Sequence, residues 1–111
     1  MEITHRPFKR ADLVAVSGRV DSSNAADLEA TFRSINDARR FRIVLDMADL
    51  EYVSSAGLRV LVSTLKNCRR YNRGNLVLAN VPEFIDGVLK LAGLDPLFMT
   101  FSDAAEAIGS F

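Results

Sequence analysis

Hydrophobic and polar residues change period along the chain, and the changes mark out its elements. The stretch "LVAVSG" (13–18) is short, apolar and valine-bearing and stops at a glycine, which predicts a strand. Before it, "ITHRPF" (3–8) alternates weakly, and Pro7 confines it to an edge or a bulge. A hairpin turning near Arg10-Ala11-Asp12 would join the two. From Ala25 the spacing becomes three and four, so that Ala25, Leu28, Phe32 and Ile35 share one helical face. Ser22, Ser23 and Asn24 precede that helix, and each is able to accept a bond from a free first-turn N–H. "RIVLDM" (42–47) is continuously apolar up to its aspartate, the pattern of a strand buried on both faces. Leu58, Leu61, Val62, Leu65 and Cys68 then define a second helix over 58–72, closed by the Arg and Gly of "RRYNRGN". "LVLA" (76–79) predicts another buried strand. Pro82 opens a third helix, with Phe84 or Ile85, Val88, Leu89 and Ala92 on its inner face and Gly93 as its cap. "LFMTF" (97–101) reads as a short last strand, and Asp103 with Glu106 as a capping box for a final short helix.

Strands alternating with helices imply an α/β layer fold: a mixed β-sheet with an N-terminal antiparallel pair, a largely parallel centre and about four packed α-helices. No repeat or linker interrupts the pattern, and 111 residues fit a single domain over 1–111. In such sheets functional residues collect beyond the carboxyl ends of strands. The stretch "YVSSAGL" (52–58), between the strand at 42–47 and the second helix, falls in that place.

Composition narrows the function mainly by exclusion. Fourteen basic residues balance fourteen acidic ones, so no bulk charge recommends nucleic acid or an anionic membrane as partner. Arg39, Arg40 and Arg42 read as a solvated helix end suited to the dipole, with a basic patch as the other reading. The one cysteine, Cys68, suits a reducing compartment and reads as a small buried hydrophobe. The charged N-terminus does not resemble a signal peptide, and no apolar run approaches the ~20 residues of a membrane helix. A cytoplasmic protein is expected.

Little catalytic chemistry is available. A serine nucleophile needs a base, yet the only histidine, His5, falls on the weak first strand and reads as a surface residue. One His and one Cys argue against a zinc site, no phosphate-binding glycine motif occurs, and no cofactor is implied. Asp46 and Asp49 fit a turn in which Asp binds its own backbone. The serines are more informative. Ser54 or Ser55 stands at the N-cap position of the second helix, but Ala56-Gly57 is a poor way to begin one. Gly57 suggests backbone left open to a partner or a phosphate. Arg59 lies in the first turn, where the dipole disfavours a cation unless a negative group is added nearby.

The segments "VSGRVDSSNAADLE", "RIVLDMADLEYVSSAGLRVLV" and "LVLANVPEFIDGVLKLAGLDPLF" together resemble the STAS domain, and most closely the bacterial anti-sigma factor antagonists. The resemblance runs over about residues 3–108, and its most specific piece is Tyr52 to Leu58. It implies a switch protein rather than an enzyme. The unphosphorylated form binds an anti-sigma factor with serine-kinase activity and so frees the sigma factor. The kinase then phosphorylates the serine before [Ala/Ser]-Gly-Leu, here Ser55, and a phosphatase resets it. The family's aspartate after the second strand matches Asp21, near the phosphoacceptor. Many members carry Asp immediately before the acceptor, where this chain has Ser54. The resemblance thus implies a partner face of Asp21, Ser22, Ser23, Ser54, Ala56, Gly57, Leu58 and Arg59, with no metal, nucleic acid or membrane involved. Two other readings stay open: a STAS domain of another system (a stressosome-like scaffold or a lipid-transport accessory subunit), and a small-nucleotide sensor using the amides near Gly57 with Arg59.

Overall fold

A computed structural model describes all 111 residues. The chain runs β1 (Glu2–Pro7), β2 (Asp12–Val20), α1 (Ala25–Asp37), β3 (Arg42–Asp46), β4 (Leu50–Val53), α2 (Ser55–Arg69), β5 (Asn75–Ala79), α3 (Glu83–Leu91), β6 (Thr100–Phe101) and α4 (Ala104–Gly109), with short 3-10 turns at Arg70–Asn72 and Asp95–Leu97. The sheet order is β1-β2-β3-β5-β6, with β4 paired to β2. Only β1 and β2 are antiparallel; β2, β3, β5 and β6 run parallel, as does the β2–β4 pair. This is the mixed sheet with an antiparallel N-terminal pair that the hydrophobic pattern implies.

The period-two alternation decides which layer each strand residue joins. Val14, Val16, Ile43, Leu45, Leu76 and Leu78 point to the larger core, shared with α1, α2 and α3. Val44, Val77 and Ala79 point to the other face, where Ala107 of α4 covers them. Both faces of the central strands are therefore sealed, which explains their unbroken apolar runs.

Several expectations are corrected. β4 lies where the sequence suggests only a connection, so Tyr52 and Val53 belong to a strand that leads directly into α2. The helix starts at Ser55 rather than 58 and ends at Arg69, followed by Tyr71 and Asn72 in left-handed conformation (φ 58° and 56°). Gly74 does not cap it: a Cβ there would lie 2.0 Å from the Phe41 carbonyl oxygen, so glycine permits that close approach. The buried face of α2 is Gly57, Val60, Leu61, Thr64, Leu65 and Cys68, with Leu58 and Val62 only half-buried at its flank. In α3 Ile85 rather than Phe84 joins Leu89 on the inner face, one of the two alternatives expected, Val88 is half-buried, and Ala92, expected on that face, is exposed past the helix end.

His5 is exposed on β1, as its reading as a surface residue expects, and it also makes one contact to a buried group. Its Nε2 lies 2.7 Å from an oxygen of Asp12, which is buried at the start of β2, and Arg40 Nε donates to the other oxygen at 2.5 Å. Arg40 also donates to the Phe8 and Ala11 carbonyls, so it holds the β1–β2 turn against the end of α1. Arg40 is thus a structural residue, because a buried carboxylate needs a cationic partner.

Candidate functional site

The site is assembled where β2 and β4 end side by side. Val20 is paired with Val53, and the Val20 carbonyl accepts the Ser54 N–H at 2.8 Å. Asp21 is the next residue, so the Asp21 loop and the start of α2 are neighbours. Arg19 stacks over the Tyr52 ring, 4.2 Å from its centroid, and reinforces the same junction.

The Asp21 loop is held by its own side chains. Asp21 Oδ1 accepts from the Ser23 amide (2.9 Å) and hydroxyl (2.5 Å). Asn24 Oδ1 accepts the Asp21 N–H, and its Nδ2 donates to the Arg19 carbonyl, both at 2.9 Å. None of Ser22, Ser23 and Asn24 caps α1 through a side chain, contrary to expectation; Asn24 occupies the N-cap position but turns back to the loop. Ser22 and Ser23 are exposed. The Ser23 hydroxyl and amide, helped by Arg19, hold the Asp21 carboxyl below its ordinary 3.8. A group depressed in the folded state contributes fully above its unfolded value, and the contribution is lost as the pH falls through the folded value. The loop should therefore stay intact down to pH 3.8 and loosen only below it. Carbon-detected titration should show the Asp21 carboxyl moving back toward its ordinary value in Ser23→Ala.

The two serines have different surroundings. Ser54 is the N-cap, extended (φ −87°, ψ 174°), with Oγ accepting from the Gly57 N–H at 3.5 Å. Ser55, the first helical residue, is exposed, and its hydroxyl makes no hydrogen bond within the chain. Ala56 is half-buried against the core. Gly57 is buried, and a Cβ would lie 2.6 Å from Val53 Cγ2 and 2.9 Å from Val20 Cγ1. Its glycine therefore serves the close seating of α2 on β2 and β4, which replaces the reading of an open backbone surface. Gly57→Ala should cost about 1–3 kcal/mol in urea denaturation, because the methyls it meets are fixed by β-branching.

Ser55, Leu58, Arg59 and Val62 line one wall of an open groove of about 860 Å³. The opposite wall is α1, with Glu29 and Arg33 (paired at 2.7 Å) and Phe32, and Leu94 after α3 also lines it. Asp21, Ser22 and Ser23 stand on the neighbouring loop, outside the groove. The α1 residues are absent from the sequence-based set, although Phe32 on the apolar face and the Glu29–Arg33 spacing of four were legible signals. Burial pushes the Cys68 thiol up from its ordinary value, in keeping with a core residue. No group of three or more His, Cys, Asp or Glu is placed to hold a metal, and no helix is long and apolar enough to cross a membrane.

Comparison with known proteins adds a second, independent kind of observation. A family model described as "Mlab, STAS domain" matches residues 6–100. BtrV of Bordetella bronchiseptica, provisionally named an anti-sigma factor antagonist, is 33% identical over 111 residues, spanning 100% of this chain and 95% of its own. A provisionally assigned anti-sigma factor antagonist of Thermotoga maritima superposes with a TM-score of 0.89 at 21% identity, over 97% of this chain and 92% of that one. The antagonist SpoIIAA superposes in its unphosphorylated form with a TM-score of 0.81 at 17% identity (96% and 93% coverage). Its phosphorylated form, from Bacillus, gives 0.76 at 16% identity (98% of each chain). At these identities the structural likenesses concern the fold.

Proposed function

The chain belongs to the STAS domain family, and from that premise we propose that it is an anti-sigma factor antagonist switched by phosphorylation of Ser55. In this reading it is a regulatory binding protein. Its unphosphorylated form binds an anti-sigma factor with serine-kinase activity, and a phosphatase restores that form after modification. The name of the relative at 33% identity supports the coarser assignment.

The observation that carries the choice of residue is the division of labour between the serines. Ser54 is engaged as a cap, whereas Ser55 is exposed, unbonded and at the mouth of the α1–α2 groove. A kinase needs a free hydroxyl. A phosphoserine adds about −1.5 to −2 charges. At the first position of a helix those charges meet first-turn amides with no partner inside the helix and the positive end of the dipole. Arg59, one turn on, also lines the groove and has no carboxylate partner. The phosphate is therefore compatible with the folded domain, while a partner seated over Ser55 would have to bury it. The test is capture from native lysate on immobilised protein. The expected bound protein is an ATPase of the histidine-kinase-like superfamily, released on adding ATP. Capture of no such ATPase by the wild type would overturn the reading.

A further inference from the structure

The formal charge of the whole chain is zero, but the charges are not evenly spread. At the end of the sheet opposite Ser55, where β2, β3 and β5 begin, a cleft of about 290 Å³ is lined by Lys9, Arg10, Arg39, Arg40, Arg42 and Arg73. The only carboxylate lining it is Asp12, so the cleft carries a formal charge of +5. Asp12 is already occupied by Arg40 and His5. No carboxylate lies within ion-pair distance of the other five cations. Arg73 is fixed without being neutralised: it donates to the Arg70 and Asn67 carbonyls and stacks on Phe41, 3.7 Å from the ring centroid.

Arg39 gives the second observation. The amide of Arg39 bonds to the Asn36 carbonyl and that of Arg40 to the Ile35 carbonyl, a helix ending whose left-handed position ordinarily holds glycine. Here that position is Arg39, at φ 65°. A strained arginine where glycine would be more stable points to a use for its charge.

We infer that this basic cleft binds a compact, multiply charged phosphate anion, at a site separate from Ser55. Guanidinium groups pair with phosphate oxygens bidentately, and several arginines from separate segments suit one concentrated charge. Phe41 is the only apolar residue in the lining, and Arg73 already covers its face. Tyr71 is exposed beside Arg73, its ring centroid 5.7 Å from the guanidinium carbon, but it does not line the cleft, where six cations face one aromatic ring, a balance that favours phosphate groups over a nucleic-acid strand. The phosphate could be free in solution or the headgroup of a lipid.

The experiment is titration calorimetry with inorganic triphosphate, in parallel with co-sedimentation on phosphatidylcholine vesicles containing phosphatidic acid. Wild type should bind at least one of them saturably, with an affinity that falls as salt is added. Triphosphate alone identifies a soluble ligand; vesicles alone identify a headgroup. Arg39→Gly combined with Arg42→Ser should weaken that binding about tenfold or more, while Arg39→Gly alone should melt higher than wild type. Lys9→Ser with Arg10→Ser is a second pair with the same expected loss of binding. Arg40 is left untouched because it neutralises buried Asp12. Binding of neither probe, binding by both double variants as tight as that of wild type, or binding of a short DNA duplex without either phosphate probe would overturn the inference.

Discussion

Ser55→Asp should fold like the wild type yet bind its kinase partner about a hundredfold more weakly or worse. Asp suits the first turn of a helix, where negative charge is favoured, so its melting temperature should stay within a few degrees. In the complex the same carboxylate would be buried without a partner. An uncompensated buried charge costs about 3–5 kcal/mol, and each 1.4 kcal/mol is about tenfold in affinity. Ser55→Ala is the complementary variant. It removes a hydroxyl that bonds to nothing in the chain, so it should bind as tightly as wild type and resist phosphorylation. Titration calorimetry of both variants, beside melting curves, separates loss of the switch from loss of the fold. Equal affinity of Ser55→Asp and wild type would mean that the partner does not cover Ser55.

Leu61→Ala should destabilise the protein by about 2–5 kcal/mol, the range for a leucine removed from a closed core. Leu61 is 1% exposed and lies in the cluster that joins α2 to the sheet. For a chain of this size the loss corresponds to roughly 10–20 °C in melting temperature. Leu58→Ala is the control. Leu58 is half-buried on the groove wall, so it should cost about 1 kcal/mol or less while weakening the partner. Urea denaturation of the two variants checks the pair. A Leu58→Ala loss equal to that of Leu61→Ala would return Leu58 to the core.

The contrast between these leucines shows what the sequence could and could not reveal. The strand runs 42–47 and 76–79 were legible because burial on both faces leaves no polar interruption. The position of Ser55 beyond a strand and at a helix start was legible from the change of period and from the quoted motif. The rotation of α2 was not. Hydrophobicity alone selects Leu58 and Val62, but the buried face also includes Gly57 and Thr64, which no apolar pattern marks. Gly57 draws that face to the sheet by having no Cβ to meet Val20 and Val53. β4 was hidden for a related reason. It has only four residues, and its buried positions, Leu50 and Val53, are three apart rather than two, beside an irregularity at Gly18/Arg19 in the strand it pairs with. The Asp12–Arg40 pair spans 28 positions in sequence, a contact with no local signature. Of the basic cleft only Arg39, Arg40 and Arg42 were legible, as the second of two readings; Lys9, Arg10 and Arg73 come from two other connections, and the cations cancel in the total.

Phosphosite mapping of the wild-type protein tests the central claim most directly. The protein is incubated with its captured kinase partner and ATP, and the modified product is fragmented in a mass spectrometer and then re-titrated against the partner. The account predicts one phosphate, on Ser55, and a product that no longer binds. A phosphate on Ser54 with Ser55 unmodified, or a Ser55-phosphorylated protein that binds as tightly as before, would contradict it.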